Sequence, residues 1–181
     1  MKVLFDDGLH VQYGFLHLQP SDVDFDLIDA RGGQANGLCG AAYPGILALV
    51  LGLHTGTVFL RVELHEAEPA LDAGAEEWED IVEVPLTITA DEYGLSTFDS
   101  GAQIEAPAAG TYRARWCASG MDEAHDLTRS ADEPKIDRYL LQLWPAALRP
   151  DSVIRQGSEQ AAYWHGVAAQ TAPPAAARSK P

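Results

Sequence analysis

Basic residues are scarce in this chain: 12 Lys and Arg stand against 27 Asp and Glu over 181 residues, a formal net charge of −15. Binding a duplex or an anionic membrane requires clustered cations to meet phosphate, so this balance argues against both as partners and favours a basic protein. Cysteine is equally sparse. Cys39 and Cys117 are too few for a disulfide scaffold or a cysteine zinc site, and they fit a reducing, cytoplasmic setting. Long apolar runs are missing too. The uncharged stretch from Gly32 to Leu60 is broken by glycines, Pro44, Gln34, Asn36 and His54, and its continuous apolar part, Ile46 to Leu51, falls far short of the roughly 20 residues of a membrane span. The N-terminal apolar segment ends at Asp6-Asp7, too early for the core of a secretory signal. With 46% hydrophobic and 22% charged residues the chain is expected to fold as one domain over 1–166, followed by a flexible tail over 167–181 that has little bulky apolar content.

What is present is period-two alternation with turn punctuation. Residues 9–18 read as a first strand with Leu9, Val11, Tyr13 and Phe15 on one side. Gly45 to Leu53 and Thr57 to His65 flank His54-Thr55-Gly56 and read as the two arms of a β-hairpin. Ile81 to Thr89 alternates, with Pro85 arguing for an edge position or a bulge. Thr111 to Ala118 sends Tyr112, Ala114 and Trp116 inward and Arg113 and Arg115 outward, where solvent-face pairing with Glu83 or Glu105 is expected. Gly94 to Phe98, Ala102 to Ala106 and Asp137 to Trp144 add further strands, and Ser158 can cap a short helix through Trp164. About eight strands without strand–helix alternation predict an all-β fold: an antiparallel β-sandwich or Greek-key barrel with a short C-terminal helix.

Motifs for chemistry are weak. Asp22, Asp24 and Asp26 open like a calcium loop, but Leu27 and Gly33 stand where its glycine and bidentate glutamate belong. Glu63 and His65 share a strand face and could meet one proton or metal, with His54, His17 or His125 as an unspecified third group, yet no ligand spacing supports a metal site. Neither cysteine has a local histidine base, no serine has nucleophile-elbow context, and no glycine loop carries the lysine of a phosphate site. No catalytic residue, metal or cofactor is expected. Pairing of Cys39 with Cys117 stays open.

Five segments together resemble the competence protein J, or DNA-entry nuclease inhibitor, family. They are Val11-Gln-Tyr-Gly-Phe-Leu-His-Leu-Gln, the run from Gly45 to Leu64, Ile81-Val-Glu-Val-Pro-Leu-Thr-Ile, Pro107-Ala-Ala-Gly-Thr-Tyr-Arg-Ala-Arg-Trp-Cys-Ala and Tyr139-Leu-Leu-Gln-Leu-Trp, covering about residues 10–145. The resemblance implies a small β protein that binds and inhibits a nuclease, with no catalytic motif to carry over. The chain departs from it in the Gly120–Pro134 segment and after Pro145.

Charge and resemblance converge on a non-catalytic acidic module that binds a protein such as a basic nuclease or toxin, offering carboxylates where that partner expects phosphates. The candidate contacts are Asp22, Asp24, Asp26 and Asp29 in one acidic segment and Glu76, Glu77, Glu79 and Asp80 in another. The alternative is a β-sandwich that binds a small ligand or metal through Glu63, His65 and His54.

Overall fold

The computed structural model describes residues 1–20, 23–71, 77–125, 127 and 136–174. Two sheets stack face to face. The first contains β1 (Lys2–Gln12), β5 (Thr55–Leu64), β10 (Arg138–Pro145), β9 (Gly110–Ser119), β6 (Asp80–Ile88) and β11 (Ser152–Arg155), in that order across the sheet. The second runs β3 (Cys39–Gly40), β4 (Leu47–Val50), β2 (Phe15–Pro20), β7 (Glu92–Ser96) and β8 (Gly101–Glu105). Each sheet ends in two edge strands, so the fold is an open sandwich and not a closed barrel. Pairing is antiparallel except between β5 and β10, which run parallel.

The alternation on each strand builds the core. Leu9, Val11, Val58, Leu60, Val62, Val82, Val84, Ala114, Trp116 and Leu141 from the first sheet meet Leu16, Leu18, Leu47, Leu49, Leu95 and Ile104 from the second, all buried. Each fully buried Leu or Val contributes about 1.5–3 kcal/mol. Trp116 stacks on Tyr139 with centroids 5.2 Å apart, and the Tyr139 hydroxyl donates to Asp137 at 2.9 Å while accepting from the Gly52 N–H at 2.6 Å.

Two expectations about connectivity are corrected. Residues 9–18 are not one strand: the chain turns at Tyr13 (φ 62°) and Gly14 (φ 69°) and passes from β1 in the first sheet to β2 in the second. Nor is there a hairpin at His54-Thr55-Gly56. β4 pairs with β2 and β3, whereas β5 pairs with β1 and β10, so the chain crosses between sheets here as well. The buried positions change phase at the first corner: Leu9 and Val11 are buried on β1 but Leu16 and Leu18 on β2, with Tyr13 exposed and Phe15 half-buried. The expected common face of Leu9, Val11, Tyr13 and Phe15 therefore does not form, and β4 is buried on both faces.

The outer face of the first sheet is also drier than alternation alone predicts. Arg113 and Arg115 do point outward from β9, but both are buried beneath residues 66–71 and 145–152. Glu83 on β6 accepts from Arg115 Nε at 2.9 Å and Arg113 Nε at 3.1 Å, while Arg113 Nη2 reaches Ser152 at 2.9 Å. Arg115 also donates to the Pro69 carbonyl, and Arg113 to those of Arg149 and Pro150. Glu105 pairs with Lys2 instead. Pro85 fits its place, because β11 leaves β6 after Glu83 and the strand is locally an edge there.

The segment after Gly120, expected as a charged loop, opens with the helical turn α1 (Met121–Ala124). The C-terminal helix α2 (Glu159–Gln170) is capped by Ser158, whose side chain accepts from the Ala161 N–H, and it runs past Trp164 and residue 166. Thr171 then accepts from the Gly33 N–H at 3.2 Å.

Candidate functional site

The two sheet-changing corners lie together at one end of the sandwich. The Gly14 N–H donates to the His54 carbonyl at 3.0 Å, and the Leu51 N–H donates to the Gly14 carbonyl at 2.9 Å. Met121 of α1 packs so closely on Gly52 that a Cβ there would stand 2.4 Å from the Met121 carbonyl oxygen. Helix α2 forms the opposite wall, and three groups fix its N-terminus. Ser158 caps it, Asp122 of α1 accepts from the Glu159 and Gln160 N–H groups at 2.8 and 2.9 Å, and Asp80 of β6 accepts from the Gly157 and Ser158 N–H groups. With its first N–H groups satisfied in this way, the helix end offers little to an external anion.

The inner side of α2 is held by a buried cation. Arg31 donates to the Gly37 carbonyl at 3.0 Å, and its guanidinium carbon lies 4.9 Å from the Trp164 ring centre and 5.6 Å from that of Phe15. Burial lowers its pKa to about 10, which leaves it charged at neutral pH. The Gly37 N–H donates to His165 Nδ1 at 2.9 Å, and a Cβ on Gly37 would stand 1.9 Å from the Trp164 carbonyl oxygen. The helix is therefore locked on from beneath.

Between the corners and the helix lies a cleft of about 470 Å³, lined by Tyr13, His54, His125, Glu159, Tyr163 and Trp164 with the backbone of Gly14, Leu51 and Gly52. Its aromatic side chains are open to solvent, Tyr13 55% exposed and Tyr163 63%, and outside the lining Phe98, 72% exposed, meets Tyr13 edge to face at 5.0 Å. Tyr13 also meets His54 at 5.6 Å and is the only non-glycine residue at positive φ among the described residues. Holding a bulky L-residue there costs on the order of 1 kcal/mol, and such strain gathers at functional sites. Sequence reasoning placed Tyr13 on a strand face and did not select Phe98 or Tyr163; the usable signal was a bulky aromatic immediately before a turn glycine.

The acidic candidates separate. Asp24, Asp26 and Asp29 are exposed on the segment after β2. Asp26 accepts from the N–H groups of Ile28 and Asp29 and so shapes that turn. Asp22 and Glu76 lie outside the described residues. Glu77 pairs with Arg138, and Glu79 accepts from the Gly120 N–H at 2.9 Å. Asp80 is fully buried beneath the start of α2, which makes it a structural anchor and not an accessible partner contact.

The residues weighed for metal or proton chemistry separate: Glu63 and His65 stay together on the first sheet, His54 and His125 both line the corner cleft, and His17 stands apart on β2. Glu63 bonds His65 at 2.8 Å, Arg61 at 2.7 Å and Gln142 at 3.2 Å. Burial alone would raise the Glu63 pKa, but these hydrogen bonds outweigh it and hold it below the ordinary value. His54 belongs to the corner cleft, and His17 is on β2, where burial and the nearby Arg31 charge lower its pKa to about 4. Among the described residues no three His, Cys, Asp or Glu side chains group to hold a metal ion. Cys39 and Cys117 are unpaired and sit one on each sheet; burial raises both thiols, Cys117 to about 12, which suppresses thiolate character. No helix among the described residues is long and apolar enough to cross a membrane.

No protein-family model and no curated protein sequence matches the chain. Solved structures do. ComJ from Bacillus subtilis, an inhibitor of the DNA-degrading activity of NucA, superposes with a TM-score of 0.52 at 17% identity, covering 80% of this chain and 98% of ComJ. The fold is that of ComJ. The product of crocagin biosynthetic gene J is similar to a comparable degree, with a TM-score of 0.53 at 14% identity over 81% of this chain and 98% of that one. The ComJ-like architecture therefore extends across most of the sandwich, as the resemblance in the five segments implied.

Proposed function

We propose that this chain is a non-catalytic acidic module that binds a basic protein and inhibits it, the partner being a nuclease of the NucA type. The observation that carries the reading is the ComJ-like fold over 80% of the chain, combined with a formal charge of −15. A nuclease presents cations to bind phosphate, and a rigid protein surface rich in carboxylates competes for them while steering the encounter. Asp24, Asp26 and Asp29, with Asp22 beside them in sequence, are the contacts that suit this role best. Glu76 and Glu77 are secondary, and Glu79 contributes mainly by holding Gly120. The two buried cysteines, whose thiols burial raises, and the lack of any group of three His, Cys, Asp or Glu side chains that could hold a metal ion among the described residues support a binding role over a catalytic one. Unpaired cysteines also suit the cytoplasm as the site of action.

The direct test mixes the purified chain with a NucA-type nuclease encoded in the same genome and follows DNA degradation. Stoichiometric loss of degradation, relieved as salt is raised, is the expected result. Full degradation in the presence of a large excess of this chain would overturn the reading.

A further inference from the structure

We propose that the aromatic cleft at the corner end of the sandwich receives an arginine side chain projecting from the basic partner. This inference rests on the proposed function for the partner's character, but it concerns a surface that the acidic segments do not include. Three observations lead to it. First, the cleft is a cavity of about 470 Å³ lined by Tyr13 and Tyr163, two large aromatic side chains left mostly in solvent, with the exposed Phe98 packed on Tyr13 beside it. Exposed aromatics around a concavity are the usual anchoring surface of a protein interface. Second, Tyr13 is held there at φ 62°, next to a glycine that would occupy the same conformation without strain.

Third, the cleft carries a carboxylate, that of Glu159 in its wall, and no lysine or arginine among the described residues. Asp99 flanks the Tyr13–Phe98 pair through its hydrogen bond with Gln12. His54 and His125 also line the cleft. Aromatic faces beside a carboxylate that has no lysine or arginine of the described cleft lining next to it favour a planar cation, because the ring quadrupole and the carboxylate attract it together. The protein already uses this pairing internally. Arg31 lies over Trp164, Arg115 over Trp144 at 5.0 Å and Arg138 over Trp78 at 5.2 Å. An arginine is favoured over a lysine because its flat guanidinium can stack on Tyr13 or Tyr163 while donating to Glu159.

The test is a ¹⁵N NMR titration of the full chain with the peptide acetyl-Gly-Arg-Gly-amide, using acetyl-Gly-citrulline-Gly-amide as its uncharged near-isostere. Saturable shifts at Gly14, Gly52, His54 and Tyr163 are expected with the arginine peptide, with the citrulline peptide at least about tenfold weaker. Tyr13→Ala and Glu159→Gln, each checked for an otherwise unchanged spectrum, should weaken the arginine peptide by a similar factor. Equal response to both peptides, shifts confined to residues 23–29, or no saturable shift would overturn the inference. The nuclease assay separates the two claims. Inhibition that persists undiminished in Tyr13→Ala and Glu159→Gln removes the cleft from the interface and leaves the inhibitor reading standing, whereas arginine binding without any inhibition does the reverse.

Discussion

Two regions of this molecule use the same residue types in opposite ways. Across the outer face of the first sheet, Glu63, Gln142, Arg115, Glu83 and Ser152 lie on one rung of five neighbouring strands. Their hydrogen bonds join Arg61 at one end to Arg113 at the other. Here carboxylates and guanidiniums neutralise one another, and residues 66–71 and 145–152 close over the centre of the row. At the end of the sandwich, Tyr13, Tyr163 and Glu159 line a cleft, with Phe98 packed on Tyr13, and no lysine or arginine lines it among the described residues. The contrast teaches where to look for function in a chain rich in charge: paired and covered groups hold the fold, while aromatic and acidic groups left over are available to a partner.

The sharpest way to break this comparison is Glu83→Gln. Removing the carboxylate leaves two buried guanidiniums facing each other, and the loss should be about 3–5 kcal/mol in urea or thermal unfolding. A loss below about 1 kcal/mol would mean that the row is not the structural element described.

Acid titration gives a smaller effect on the second sheet. His17 has a native pKa near 4, below its ordinary 6.5, because burial and then Arg31 disfavour the imidazolium. The unfolded chain therefore binds the extra proton between those values, so stability should fall as pH drops from 6.5 to 4, by about 3 kcal/mol from this group. His17→Phe, which keeps a ring against Phe25 and removes the unpartnered Nε2, should flatten that part of the curve. An unchanged slope would locate the acid sensitivity elsewhere.

Tyr13→Gly tests the other region. Relief of the positive φ should roughly offset the lost edge contacts with Phe98 and His54, changing stability by less than about 1 kcal/mol. Binding of the arginine peptide should nevertheless fall at least about tenfold. The smallest stability change is expected for Asp24→Asn with Asp29→Asn, within about 0.5 kcal/mol, since both side chains are exposed. That pair should instead slow association with the nuclease and reduce its salt dependence, read by stopped-flow mixing.

Much of the fold was legible in residue patterns. The alternation in Thr111–Ala118 became β9, the short strands around Ser100-Gly101 became the β7–β8 hairpin, and Ser158 does cap the terminal helix. What alternation cannot reveal is which sheet receives a strand after a corner. Tyr13-Gly14 and Leu51-His54 have the local chemistry of ordinary turns, and only long-range pairing with β1 and β10 or with β2 and β3 distinguishes a crossing from a hairpin. The burial of Arg113 and Arg115 was hidden for a similar reason, because the segments that cover them are remote in sequence. Asp80 looked like one more acid in a charged run, yet its fate depends on residues 157 and 158. The cleft was hidden most fully, since corners and helix converge there only in three dimensions.

The central claim is that the surplus carboxylates and the open aromatic cleft grip a basic nuclease. It is tested most directly by titrating the wild-type chain into a NucA-type nuclease encoded in the same genome, at several salt concentrations, while measuring residual DNA cleavage. The account predicts complete inhibition near one equivalent at low salt, with affinity falling steadily as salt rises. Cleavage that continues unchanged at every ratio and every salt concentration would contradict it.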